Sequence, residues 1–326
     1  MQEKYKPLVI FISKILEIFI FPITLITALY SKFVALVGYH NLPISRFLAD
    51  KLGFRTIDDH FNMPMIRPER NLIRDLTEVR SLPGIHLNES GQLALLKELK
   101  YGEEIANLPI QPHSGADGQY HFSNPMYGSG DAELLYSMIR HLKPSKMIEI
   151  GSGYSTLIAI RAFDKNKEEE SKVYEITSIE PYANPWLERT KSTVVRERVE
   201  LVDRAIFSQL EANDILFIDS SHMIRPQGDV LAEILEILPL LKTGVIVHIH
   251  DIFTPFDYPP HWIIDRGRLW NEQYLVEAFL SCNPSFEIIA ALNFLSKKHP
   301  EKFAKAAPVY AQHQFEQPRA LWLRKK

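Results

Sequence analysis

Two short runs gather residues able to move a proton or hold a cation: Asp219-Ser220-Ser221-His222 and His248-Ile249-His250-Asp251. Each follows an apolar stretch, so its polar groups stand where a buried element ends. Carboxylates and imidazoles so placed can accept a proton from a hydroxyl or share a divalent ion. Upstream, Glu149 precedes the turn Gly151-Ser152-Gly153, and Glu180 closes a later apolar run. An acid ahead of a glycine turn suits a ligand that is cationic or rich in hydroxyls. A second acid after the next strand suits a ribose diol.

Those groups need a scaffold that brings strand ends together. Met147 to Ile150 reads as a buried strand, and Leu157 to Phe163 as the helix that follows its glycine turn. Val173 to Glu180 reads as the next strand. Strand, glycine turn, helix, strand and terminal acid make a nucleoside-cofactor arrangement at the carboxyl edge of an open α/β sheet. The expected fold is a doubly wound, Rossmann-like α/β sheet with an antiparallel last strand and an N-terminal helical extension.

This series resembles the class I S-adenosylmethionine-dependent methyltransferases. Asp214 to Ile218 looks like that family's fourth strand and Gly244 to Asp251 like its fifth. Phe286 to Ala291 and Ala320 to Leu323 look like its late antiparallel pair, so the resemblance spans residues 122–326. It implies that Glu149, Gly151, Ser152 and Gly153 lie under the methionine part of the cofactor, with Tyr154 and Ser155 at the start of the next helix. Glu180 would take the ribose hydroxyls. Asp203, after an expected strand Val199 to Val202, would lie by the adenine, and Asp219 would end the fourth strand beside the cofactor.

Methyl transfer needs donor and acceptor in line with water excluded, and a hydroxyl acceptor must also lose its proton. In the catechol and macrolide-sugar O-methyltransferases, acids at these strand ends help hold magnesium, and Asp219 and Asp251 match them. The residue after Asp251 is Ile252 rather than an amide or acid, so one oxygen ligand of Mg²⁺ is missing. The alternative is metal-free catalysis, with His222 ahead of His250 as base and a pKa near the ordinary ~6.5. Strand alternation puts His248 and His250 on one face and Ile249 and Asp251 on the other, with His248 read as a core histidine.

Composition frames the rest. The chain has 326 residues, a formal net charge of −3 and one cysteine, which gives no global pull toward nucleic acid and excludes an internal disulfide framework. Cys282 is read as a packed thiol at a helix end. Residues 1–39 form an apolar N-terminal helix, read as membrane-associated or, alternatively, packed on the domain or on a second subunit. Its longest uncharged run, Ile18 to Ser31, falls short of the roughly 18 residues of a confident span. Residues 40–121 are a proline-punctuated extension, a cap over the substrate site by the resemblance or simply structural. Helices are expected over Arg70 to Val79 and Gly91 to Lys100, with Asn88 capping the second, and a loop over Gln111 to Gly118. Residues 122–326 form the catalytic domain, where Asp131 caps a helix Ala132 to Leu142 and Tyr127 borders the cofactor. The aromatic loop after the fifth strand is read equally as a pocket wall or as packing, and Asp265-Arg266-Gly267-Arg268 as a solvated turn.

The reading is therefore a cytoplasmic or membrane-associated O-methyltransferase with a small-molecule or lipid-linked acceptor, no nucleic-acid partner and room for oligomerisation. Two other classes stay open. One is a nicotinamide (NAD(P)) oxidoreductase, though Thr156 stands where its third glycine belongs. The other is a catalytically silent cofactor-binding protein.

Overall fold

Seven strands form one sheet in the order β3-β2-β1-β4-β5-β7-β6. They are β1 (Lys146–Ile150), β2 (Glu175–Ile179), β3 (Thr193–Val195), β4 (Ile215–Ile218), β5 (Ile246–Ile249), β6 (Phe286–Ala291) and β7 (Leu321–Lys325). The first five are parallel, and β7 runs antiparallel between β5 and β6. The computed structural model describes residues 6–57, 64, 71–112, 118–171, 173–182, 185–314 and 316–326. Every residue of β4 and β5 is buried, as a parallel sheet covered on both faces requires. The chain winds outward from β1 through β2 to β3, then returns to β4 on the other side of β1. That reversal opens a crevice beyond the carboxyl ends of β1 and β4, where open α/β sheets bind ligands.

Contacts divide the chain into Met1–Asn71 and Leu72–Lys326, a boundary inside the 40–121 segment. In the first unit one helix runs Lys6–Val37 straight through Pro22. Its stretch Ile12–Val37, 26 residues with mean hydropathy 1.9, is long and apolar enough to cross a membrane by length and composition. The charges that shortened the uncharged run in the sequence do not end the helix. At about 1.5 Å per residue it exceeds a hydrocarbon core of about 30 Å.

In the second unit several local expectations give way to tertiary partners. Residues 72–80 form turns rather than a helix, because Asp75 accepts from the backbone and hydroxyl of Thr77, both at 2.7 Å, and such side-chain turns compete with helix. Arg70 lies outside the described residues, as do 113–117 of the expected Gln111 to Gly118 loop. The second helix forms as Glu89–Glu98, but Asn88 does not cap it. The Asn88 amide donates instead to Glu287 and to the Ile288 carbonyl of edge strand β6, each at 3.1 Å.

The helix Asp131–Leu142 is capped at Gly130 by Glu133 rather than by Asp131. The Asp131 carboxylate accepts from the backbone of Arg319 and Ala320 at 3.0 Å and so anchors the approach to β7. Val199 to Val202 is a 3₁₀ turn instead of a strand. Arg204 donates to the Val199 and Val202 carbonyls at 2.9 and 2.8 Å, drawing them away from any ladder. Cys282 is exposed in the turn after its helix rather than packed.

The segment after β5 is fastened from two sides. Gln273 accepts from the Phe253 backbone at 2.6 Å and donates to the Phe256 carbonyl at 2.8 Å. Buried Arg80 holds Glu277 at 2.8 Å and the Phe256 carbonyl at 2.9 Å. Phe253, Phe256, Tyr258 and Trp262 close into a small apolar cluster of their own. Packing therefore accounts for the first three rings of this loop.

Candidate active site

The glycine turn is shaped by the approach of two strand ends. Gly151 has φ +77, and a side chain there would meet the Asp219 carbonyl at 2.0 Å. Gly153 is extended and opens onto free space. Only the first glycine is demanded by the backbone.

Glu149 is fully buried and lines neither of the two cavities at the crevice. Ser155, Thr156 and Ser178 donate to it at 2.7, 2.6 and 3.0 Å. Burial pushes its carboxyl up to about 7 against those donors. It ties β1 to β2 and to the helix Tyr154–Glu170, and the expected contact with a cofactor gives way to this closed set of hydroxyls. Glu180 does reach the crevice, accepting from Ser152 N at 3.1 Å and Tyr182 N at 2.9 Å. Asp203 does not. It caps the turn Arg204–Gln209 by accepting from Ala205 N at 2.9 Å, and stands exposed outside the cavity wall.

Two cavities of about 540 and 530 Å³ share Gly151, Glu180, Asp219, Ser220 and Ser221 as a common wall. Both fall within the about 300–1,000 Å³ of small-molecule sites. The first extends past Tyr182 and Val199. The second is lined by Ser152, Gly153, Tyr154 and Ser155 on one side and by His222, His250 and Asp251 on the other. Tyr127 reaches this wall too, with its hydroxyl 3.1 Å from Nε2 of His248. His248 itself is a core residue, stacked on Phe217 at 4.0 Å.

Around His222 the charges converge. Its Nδ1 meets Glu272 Oε2 at 2.8 Å, and its Nε2 stands 3.3 Å from both Asp219 Oδ1 and Asp251 Oδ2. Nδ1 of His250 lies 3.4 Å from Asp219 and 3.9 Å from Asp251. Strand alternation would have kept His250 and Asp251 apart, but β5 ends at Ile249 and Asp251 takes φ 57. This left-handed residue turns its carboxylate toward the same place. His222 also sits at φ 59.

Burial opposes a charge on His222, yet Asp219, Glu272 and Asp251 outweigh it and hold its pKa well above the imidazole range. Burial likewise opposes charge on His250, but Asp219 and Asp251 raise it to about 10. Asp219 is held well below the carboxylate range, where His250 and His222 overcome its own burial. With no cation between the carboxylates both imidazoles are protonated near neutrality, so neither is the expected base with a pKa near 6.5. A general base must be neutral before it can accept a proton. A divalent ion at the cluster would have to displace the proton on Nε2 of His222, since a ligating imidazole is neutral.

One atom each of Asp219, His222 and Asp251 lies within 4.8 Å of the others, the spacing of a metal-ligand set. Both ring nitrogens of buried His250 make no hydrogen bond among the described residues. Two hard oxygens, one imidazole nitrogen and an under-satisfied neighbour fit a divalent cation that keeps water or substrate oxygen in its remaining positions.

Several lining residues escaped the sequence reading. Arg319, with Nε 2.5 Å from Asp251 Oδ1, carries no local signal because it precedes β7 by two residues. Glu272 could have been sought only as the first acid of a helix. Arg266 and Arg268 lie in a turn as exposed as its sequence reads, Arg268 being half-buried, and from there they line the second cavity with Trp262 and Trp270.

A sequence profile for a family described as a methyltransferase domain matches residues 148–252. An uncharacterized protein of Archaeoglobus fulgidus is 32% identical over 154 residues, covering 46% of this chain and 68% of that protein. Solved structures of CmcI also align. The SAH complex covers 68% of this chain and 90% of its own at 14% identity and TM-score 0.37. The Mg–SAM complex covers 69% and 84% at 15% identity and TM-score 0.33.

Proposed function

Because the chain belongs to the class I S-adenosylmethionine-dependent methyltransferases, we propose that it methylates an oxygen of a hydroxylated small molecule or lipid-linked acceptor. The carrying observation is one crevice with Glu180 and the Gly151 turn on one side and the Asp219–His222–Asp251 set on the other. Family membership displaces the nicotinamide-dependent reading. When bound, the sulfonium supplies an electrophilic methyl group and leaves as a neutral thioether, keeping the carbon–sulfur electron pair.

The chain's own residues do the positioning. Glu180, already fixed by two backbone N–H groups, offers its remaining acceptor capacity to vicinal hydroxyls. Asp219, Asp251 and His222 would hold a divalent ion such as Mg²⁺, whose charge lowers the pKa of a hydroxyl beside it. Asp219 is held too acidic to keep a proton, so the proton that this hydroxyl gives up would pass to solvent. Tyr127 and Trp270 line the acceptor side of this space, where a bound acceptor would displace water and strengthen each electrostatic contact. Cytoplasmic placement, where the methyl donor is made, agrees with this chemistry.

Glu180→Ala weakens S-adenosylmethionine binding about ten- to a hundredfold, the loss of charge-assisted hydrogen bonds worth about 1.5–3 kcal/mol. Calorimetry on a folded variant measures it, and an unchanged Kd removes Glu180 from the ribose role. A wild type that binds no adenosyl ligand overturns the whole proposal.

The N-terminal helix supports a second element, attachment to a membrane. Ile18, Phe19, Ile23 and Leu36 expose 74, 76, 65 and 82% of their surface, more apolar area than isolated surface positions account for. Deleting the residues before His40 shifts the protein from membrane pellet to soluble fraction and leaves cofactor affinity intact. A full-length chain that is soluble and monodisperse without detergent refutes the attachment.

A further inference from the structure

Beyond His222 the wall of the second cavity becomes cationic and aromatic. Trp270 lies 4.2 Å from the His222 ring and 5.0 Å from Trp262, almost perpendicular to it. The guanidinium of Arg268 rests over both indoles, 4.3 and 4.4 Å from their centroids. Arg266 lines the same wall. Arg319 is already committed to Asp251 and to the Met126 carbonyl at 3.1 Å. Among the described residues, no carboxylate lies within ion-pair distance of the Arg266 or Arg268 side chain.

Arg266 is exposed and Arg268 half-buried, so an anion here would gain two cations that no carboxylate of the described residues has already paired. The two indoles hold the Arg268 guanidinium by cation–π contact, and a guanidinium fork takes an oxyanion in bidentate fashion. Two guanidiniums on one wall, two residues apart in sequence, match a doubly charged group better than a single carboxylate.

Resting on the O-methyltransferase reading, we propose that Arg266 and Arg268 bind a phosphate group of the acceptor. The substrate class is then a hydroxylated phosphate ester. Its ring lies along Trp270 and its reacting hydroxyl reaches the Asp219–His222–Asp251 cluster. The same headgroup chemistry occurs in soluble sugar phosphates and in lipid-linked phosphates, and the test separates them.

Full-length protein saturated with S-adenosylhomocysteine is titrated with inorganic phosphate, glucose 1-phosphate and glucose. It is also titrated with phosphatidylcholine vesicles with and without phosphatidate. Glucose 1-phosphate is expected to bind while glucose does not, and Arg268→Gln and Arg266→Gln each weaken that binding about tenfold or more. An Arg268-dependent gain seen only with phosphatidate vesicles also supports the site and assigns it to a lipid-linked phosphate. Equal binding by wild type and both variants overturns the proposal, as does no binding of any phosphate probe. A loss of S-adenosylmethionine affinity in the variants overturns it too, because the arginines then serve the donor's carboxylate. Arg268-dependent phosphate binding by a protein that binds no adenosyl ligand supports the anion site and defeats the methyltransferase reading instead.

Discussion

Asp251→Asn lowers methyl transfer by about 10²–10⁴-fold, while S-adenosylmethionine still binds. The carboxylate stands 3.3 Å from His222 Nε2, with its other oxygen 2.5 Å from Arg319 Nε. Asparagine keeps the shape and tolerates the φ of 57 at this position, so the change removes charge without straining the backbone. It strips one hard oxygen from the ligand set and one partner from both His222 and Arg319. Leaving a buried charge unpaired costs about 3–5 kcal/mol, so a melting curve has to accompany the kinetics.

An acceptor-free readout separates the two chemistries at this cluster. Mn²⁺ titration followed by electron paramagnetic resonance should show one weak site in the wild type, lost in Asp251→Asn and in Asp219→Asn. Chelation should then abolish turnover without releasing the cofactor, and added Mg²⁺ should restore it. Turnover that persists in chelator, with no Mn²⁺ bound, overturns the metal assignment. Full activity in Asp251→Asn takes that residue out of the reaction. A wild type that binds donor yet never turns over a broad panel of hydroxylated phosphate esters is the silent protein considered at the outset.

Gly151→Ala costs about 2–6 kcal/mol, the sum of a strained left-handed residue and an overpacked contact. Its φ is +77, and the added carbon would stand 2.0 Å from the Asp219 carbonyl. No flexible side chain can yield there, because the obstacle is the backbone that carries Asp219 into the site. Relief must come from separating the ends of β1 and β4, which opens the crevice and weakens donor binding as well. Gly153→Ala is the internal control. Its backbone is extended and nothing lies within 4 Å, so stability stays within about 0.5 kcal/mol. Denaturant unfolding of both variants decides it, and equal stabilities contradict the assignment of the close approach to Gly151 alone.

That contrast shows where the sequence was legible. Both glycines belong to one recognisable turn, and the turn was found. Which glycine bears the close approach depends on a strand 68 residues later (151 to 219), which no local pattern reports. Glu149 and Glu180 were read as a pair facing one ligand. Glu180 does line the crevice. Glu149 points instead into three hydroxyls, one of them Ser178 of the neighbouring strand.

The doubly wound sheet with its late antiparallel pair and the end of β4 were legible in the chain, whereas β3 formed at Thr193–Val195 rather than at Val199 to Val202 and β5 stopped at Ile249, short of Asp251. Apolar periodicity, glycine turns and terminal acids are local and repeat along the sequence, so they can be read without coordinates. The crossing of charges could not be read. Asp219, His222, Asp251 and Glu272 come from three separate stretches. Their mutual distances depend on two left-handed residues and on how the helix Glu272–Leu280 packs. The converging carboxylates then set what these groups are, holding His222 protonated against its own burial where an isolated histidine would be mostly neutral. Arg266 and Arg268 lie in a largely exposed turn, as their sequence reads, yet only the fold, which sets Trp262 and Trp270 beside them, makes that turn a wall of the cavity.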